Sequence, residues 1–224
     1  MNYRSVLAAI LGIALIAAQS TLAAPRQEMV GVRAIGMGGA FSAVASDASA
    51  AHWNPAALAS LQRQEIGLAY ADRYGLGLNH SYLNYVLPVG DQHAIGVDWL
   101  YSGFDDSELN TGQNKLAFAY GYRNGIQRLR PLIGNTAIGV SGKYRSFSVD
   151  LDGNNLGSAS GWGFDVGLLA PLPFGLRLAF VAQDLGGTDL QYESGVSEPV
   201  YETRYRFGLA HRPVEGDRKS TRLN

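Results

Sequence analysis

The side chains best suited to acid–base, nucleophilic or metal chemistry are few in this chain and are not grouped for it. Its four imidazoles, His52, His80, His93 and His211, are scattered, and none stands in a ligand spacing such as H-E-x-x-H, which puts two imidazoles on one helix face. Zero cysteines exclude a thiolate metal site, a thiol nucleophile and a disulfide framework. No G-x-S-x-G elbow occurs. "GMGGAF" has Phe41 where the third glycine of a dinucleotide fingerprint falls, and neither a strand before it nor a long helix after it frames the motif. Asp105, Asp106 and Glu108, and Asp150 and Asp152, offer oxygen ligands of the kind calcium takes; solvated acidic loop tips account for them as well. The expectation is a protein that is not an enzyme, with no catalytic, cofactor-binding or metal-binding residues and no cofactor.

The elements that carry these residues are strands. In "HAIGVDWLY" Ile95, Val97, Trp99 and Tyr101 share one parity and Ala94, Gly96 and Asp98 the other. "KLAFAYGY", "WGFDVGLLA" and "YRFGLAH" repeat the pattern, with Phe118, Trp162 and Phe207 on the large face and Ala119, Gly163 and Gly208 on the small one. A period of two is the strand period, and successive side chains of a strand point to opposite faces. Each strand therefore has one large apolar, aromatic face and one face of Gly, Ala and Ser with occasional Asp, Lys143 or Arg206. Small and polar residues suit a lumen better than a second hydrophobic layer. About eight such strands lie between Gln64 and Ala210, many near the roughly 9–11 residues that cross a bilayer obliquely. Proline-containing tight connections ("LPVGDQ", "APLPFG", "HRPVEG") alternate with longer polar ones ("SGFDDSELNTGQ", "SVDLDGNNLGSASG", "GGTDLQYESGVSEP"), the asymmetry of short periplasmic turns and long external loops. "RNGIQRLRPLIGN" is long for a periplasmic turn and "YGLGLN" short for an external one. The expected fold class is all-β: an antiparallel transmembrane β-barrel. A sheet in lipid must close, because every backbone polar group there needs a partner.

Residues 1–23 read as a cleaved secretory signal, with Arg4 in a basic n-region and an apolar run from Val6 to Ala18. "DRKSTRLN", residues 217–224, reads as translated sequencing adapter, so the gene is expected to continue beyond Gly216. Without these two ends Lys+Arg falls from 18 to 14 and Asp+Glu from 19 to 18, a net charge of −4. A mildly acidic chain lacks the basic stripe of a nucleic-acid binder.

Between signal and strands lies "GMGGAFSAVASDASAAHWNPAALAS", Gly36 to Ser60, compact and with Asp47 as its single acid. Its glycines let the backbone turn tightly and approach a wall; Asp47 or Ser46 is placed to cap the short helix "ASAAHW", and Pro55 to end it, leaving Asn54 extended. Residues 24–61 are expected to be a plug or hatch inside the barrel, and residues 62–216 its strands.

"GVRAIGMGGAFSAVASDASAAHWNPAALASL", Gly31 to Leu61, resembles the N-terminal signature of the FadL-like outer-membrane transporters and the related PorV/PorQ family, in which R-A-x-G-M-G-G-A-F and D-A-S-A-x-x-x-N-P-A segments precede the first strand. "GFDVGLLAPLPFGLRLAFVAQDLGG" is similar to a hairpin of the PorV-like branch. The resemblance implies a 14-stranded barrel, of which this chain offers about eight strands, with a plug or gating motif at Trp53, Asn54, Pro55 and Ala56 together with Arg33, Gly36, Gly38 and Gly39. It implies a bacterial outer-membrane protein giving hydrophobic small molecules, such as long-chain fatty acids, a route through the membrane. The alternative is a PorV-like structural or shuttle component of protein secretion. The partners implied are outer-membrane lipid and either a hydrophobic ligand or secreted proteins, with no nucleic acid.

Overall fold

The computed structural model describes residues 28, 30–73, 75, 77–106, 108–123 and 135–212. The expected export signal, the terminal octapeptide and most of "RNGIQRLRPLIGN" lie outside the described residues. The alternating segments form ten antiparallel strands in one sheet: β1 (Glu65–Arg73), β2 (Leu78–Val89), β3 (His93–Asp105), β4 (Leu109–Arg123), β5 (Ala137–Leu151), β6 (Asn154–Pro171), β7 (Leu176–Gln183), β8 (Thr188–Tyr192), β9 (Ser197–Tyr201) and β10 (Arg204–His211). Eight of them make a meander in the order β1-β2-β3-β4-β5-β6-β7-β10, and β8 leaves that path to pair with the early part of β6 and with β9. The edge strands β1 and β10 are not paired with each other among the described residues.

Three expectations about connections are corrected. The polar stretches read as long loops after the third and fifth strands are mostly strand: β3 and β4 join through residues 106–108, and β5 and β6 through Asp152 and Gly153. Both of those residues have positive φ, 49° and 75°, the backbone of a type I′ hairpin turn, whose twist matches that of the flanking strands. The ladder runs on through these polar stretches, and in β5 Phe147, Val149 and Leu151 still alternate with Ser148 and Asp150. The stretch after β7 is likewise a hairpin, β8–β9.

The sheet's two faces differ as the alternation requires. Ile95, Phe118, Ile138, Val140, Trp162, Phe164 and Phe207 are exposed on one face, Trp162 at 60% and Phe207 at 63%. Ala94, Ala117, Ala119, Ala137, Ser141, Lys143, Asp165 and Ala179 are buried on the other. The buried face is concave. Tyr82 of β2 lies 6.4 Å, ring to ring, from His52, while Arg206 of β10 lies 5.3 Å from the ring of the adjacent Trp53. These strands are six steps apart in the sheet, about 29 Å if it were flat at about 4.8 Å per step. Side chains from both can reach one dipeptide only because the sheet curls around it.

The residues inside the curl come from the N-terminal segment: α1 (Val32–Gly36), α2 (Ala50–Trp53) and a 3-10 turn, η1 (Pro55–Ser60). Phe41, Ala45, Ala51, Trp53, Ala56 and Leu58 form one apolar cluster with Val86, Ala94, Ala119, Ala137, Leu169 and Ala179 of the sheet. The core therefore sits between segment and concave face.

Candidate functional site: the segment seated in the concave face

Asn54 is the anchor of the segment. Pro55 disfavours helical backbone at the residue before it, and Asn54 is extended at φ −161°, so α2 stops at Trp53 as the sequence predicts. The side chain then satisfies three backbone groups. Its Nδ2 donates to Ser42 O at 3.1 Å and Leu168 O at 3.2 Å, and its Oδ1 accepts from Ala56 N at 3.0 Å, capping η1. Pro55 occupies the first turn of η1, where the missing N–H costs no intrahelical bond. Beside them the Trp53 indole donates to Val30 O at 2.9 Å, and Phe41 meets its ring edge-on at 6.0 Å.

What admits η1 so close is a row of glycines in the wall. Gly121, Gly139 and Gly167 are direct neighbours across β4, β5 and β6. A β-carbon on Gly121 would stand 2.8 Å from Pro55 O and 2.9 Å from Ala59 N. On Gly139 it would fall well inside 3.0 Å of Pro55 C and Ala56 N, and on Gly167 it would meet Asn54 Oδ1. Gly96 of β3, paired with Ala119 rather than with Gly121, lies against Ala51 and Leu58.

This corrects the expectation that the segment's own glycines make the close approach. Gly38 and Gly39 do turn the chain, at φ 61° and 83°, but among the described residues Gly36 and Gly38 have no other atoms near enough to crowd an added β-carbon. Arg33 is also on the outer side, 57% exposed, where its Nη1 pairs with Asp47 Oδ2 at 2.9 Å and donates to Ser46 Oγ at 3.1 Å. Asp47 does not cap α2 from the N-cap position: its Oδ1 accepts from Ser49 N at 3.0 Å, and Ser49 is the N-cap. The structure thus brings together Trp53, Asn54, Pro55 and Ala56 and leaves Arg33, Gly36, Gly38 and Gly39 apart from them.

Next to the glycine row lies a layer of buried ions. Glu28 receives Lys115 Nζ at 2.6 Å and Arg145 Nη1 at 3.0 Å; Arg145 Nη2 lies 3.5 Å from Asp184, and Lys143 bridges Asp184 at 3.1 Å and Asp165 at 2.6 Å. Lys115 also approaches Asp98 at 3.9 Å. Four acids and three bases are tied in this way, and Arg206 lines the same cavity of about 50 Å³. The chain has no match among protein-family profiles, curated proteins or solved structures.

His52 lies in this layer as a neutral imidazole with a fixed tautomer. Burial and then the Lys115 ammonium hold its pKa well below the usual histidine value. Nε2 is 3.1 Å from Glu28 O and must donate to it, so Nδ1 is the acceptor for Lys115 Nζ at 2.9 Å. Burial pushes the Glu28 carboxyl upward, but the charges of Lys115 and Arg145 and the hydrogen bond from Lys115 outweigh it and hold the acid well below its usual range. Glu28 is thus a carboxylate that clamps the N-terminal segment to β4 and β5. Among the described residues no group of three or more His, Asp or Glu side chains is placed to hold a metal ion, and Asp105, Asp106, Asp150 and Asp152 stand at the β3–β4 and β5–β6 turns.

The ionic layer is what sequence reading missed. Lys143 and Arg206 were legible as charges on a small-residue face, but Glu28 and Asp184 lie outside the alternating strands. No spacing pairs Glu28 with Lys115 or Arg145. The one available signal was that Lys115, Lys143, Arg145 and Asp165 all fall on the parity of Gly and Ala.

Proposed function

We propose that this chain is the wall and inner segment of a bacterial outer-membrane β-barrel that gives hydrophobic small molecules, such as long-chain fatty acids, a route across that membrane. The observation that carries the reading is inverted amphipathy. A water-soluble antiparallel sheet buries its apolar face, whereas here Phe118, Trp162, Phe164 and Phe207 are exposed and Lys115, Lys143, Arg145 and Asp165 are buried. That pattern suits an apolar exterior in lipid and a polar interior. Strands of 12 to 18 residues at β2 to β6 exceed the membrane-crossing length. The FadL-like signature of Gly31–Leu61 supports the transport half.

A second reading, a PorV-like component that anchors or shuttles secreted proteins, is favoured by the Glu28 clamp, since a segment held by a buried ionic layer suits a permanent scaffold. The two part in one experiment. In cells carrying the full-length gene, Pro55→Ala or deletion of residues 36–56 should alter entry of a labelled long-chain fatty acid while the barrel still assembles, with surface protein secretion assayed in parallel. Altered uptake supports transport. Unchanged uptake with lost secretion supports the scaffold, and loss of neither defeats both roles for the segment.

A further inference from the structure

We infer that the β8–β9 hairpin, rather than the N-terminal segment, is the moving cover of the interior, held shut by a clasp between Arg145 and Tyr201. The inference rests on the transport reading for its purpose and on the following geometry for its mechanics. Four alternate positions of β6 face the concave side: Gly161, Gly163, Asp165 and Gly167. Asn54 and Pro55 cover Gly167, whereas Asp189 and Leu190 cover Gly161, and Thr188 and Asp184 cover Gly163. The hairpin therefore folds over the same inner face as the segment, at the other end of the ionic layer. The chain reaches that position through left-handed backbone at Asp184, Gly186 and Gly187, with φ of 50°, 84° and 85°.

The holds on the two covers are unequal. The segment has the Asn54 hydrogen bonds, the glycine seat and the apolar cluster around Trp53 and Leu58. The hairpin has a ladder of only two β6 register pairs, Ala159 with Tyr192 and Ser160 with Gln191. Residues 193–200 are exposed. One more backbone bond, Glu193 N donating to Ser158 O at 3.2 Å, follows that ladder, and the other holds are side chains. Arg145 lies 4.0 Å from the Tyr201 ring centroid, Gln113 Nε2 donates to Tyr201 OH, Thr188 Oγ1 donates to Asp184 at 2.9 Å and Ser158 Oγ donates to Glu193 at 2.8 Å. A short ladder with an exposed tip opens at lower free energy than a packed core, so the hairpin lifts first. Arg145 also pairs with Glu28 and Asp184, so one guanidinium ties the hairpin to the fixed segment.

Hydrogen exchange on the full-length protein in detergent micelles tests the mechanics without any ligand. Amides of Thr188–Tyr201 should exchange at least tenfold faster than those of η1, and Tyr201→Ala should speed the hairpin a further tenfold while leaving η1 and the β4–β6 ladder unchanged. Arg145→Met serves as a second variant acting from the wall. A hairpin as slow as η1, or one indifferent to both variants, overturns the inference. For function, Ser160→Cys with Gln191→Cys forms a lock across a register pair, at the separation a disulfide spans; no native cysteine competes. Fatty-acid uptake should be lost on oxidation and return on reduction. Uptake that persists through a formed lock overturns the cover, whereas no uptake by the unmodified chain sinks the transport reading and leaves the cover to be decided by exchange.

Discussion

Gly139→Ala tests the glycine seat, because its β-carbon would press on backbone atoms that cannot rotate away. Pro55 C and Ala56 N would lie well inside 3.0 Å, so sheet and η1 must separate by about 1 Å to restore ordinary contact near 3.5 Å. Two responses compete. Expelling the segment would expose Trp53, Leu58 and Phe41, now at 0%, 0% and 1%, at about 1.5–3 kcal/mol each, roughly 5–9 kcal/mol together. Keeping it seated under strain costs about 1–3 kcal/mol, so the segment should stay and be held less tightly. That loss is a roughly 5- to 150-fold increase in its open population. Limited proteolysis of the segment in detergent, under conditions where closing outpaces cleavage, reads that population directly. Gly36→Ala is the control: among the described residues it meets no crowding neighbour and it sits in α1, so it should be neutral or stabilise by up to about 1 kcal/mol. Equal proteolysis of the two variants, or faster cleavage of Gly36→Ala, would refute the assignment of the close approach to the wall.

Asn54→Ala orphans two buried carbonyls and one N–H and should weaken the segment's hold by about 2–4 kcal/mol, measured by the same proteolysis. The pH dependence should have two windows. His52 has a depressed folded pKa, so the unfolded chain binds the extra proton and stability falls as pH drops below about 6.5; His52→Gln should flatten the melting-temperature slope between about pH 6.5 and 5. Glu28 also has a depressed folded pKa, so its contribution is intact above about pH 4.5 and is lost as pH falls through its folded value, a loss that Glu28→Gln should remove from the acid limb. Phe118→Arg, on the exposed face, should cost about 2–4 kcal/mol if that residue sits near the bilayer midplane, seen as a lower urea midpoint in lipid vesicles.

The parts of this fold legible in the sequence are those carried by local patterns. Ile95/Gly96 or Trp162/Gly163 announce both a strand and which side of it is large, and Asn54-Pro55 announces a helix stop that α2 obeys. The glycine seat was illegible because Gly121, Gly139 and Gly167 acquire meaning only as register neighbours on three strands. Glu28, Lys115 and Arg145 are separated by 87 and 117 residues across their pairs, so folding alone makes them one clamp. The β8–β9 hairpin escaped notice because Asp189, Gln191 and Glu193 read as loop polarity, while its one deeply buried apolar side chain, Leu190, offers no period.

The central claim is that the aromatic face meets lipid and the segment lies inside, and the three tryptophans report on it separately. Trp162 is 60% exposed and Trp99 37% exposed on the outer face, whereas Trp53 is fully buried against the segment's own core. With single-tryptophan variants of the full-length protein in vesicles of bromine-labelled phospholipid, fluorescence from Trp162 and Trp99 should be strongly quenched and that from Trp53 left almost intact. Quenching of Trp53 equal to that of Trp162, or no quenching of Trp162 at all, would contradict the account.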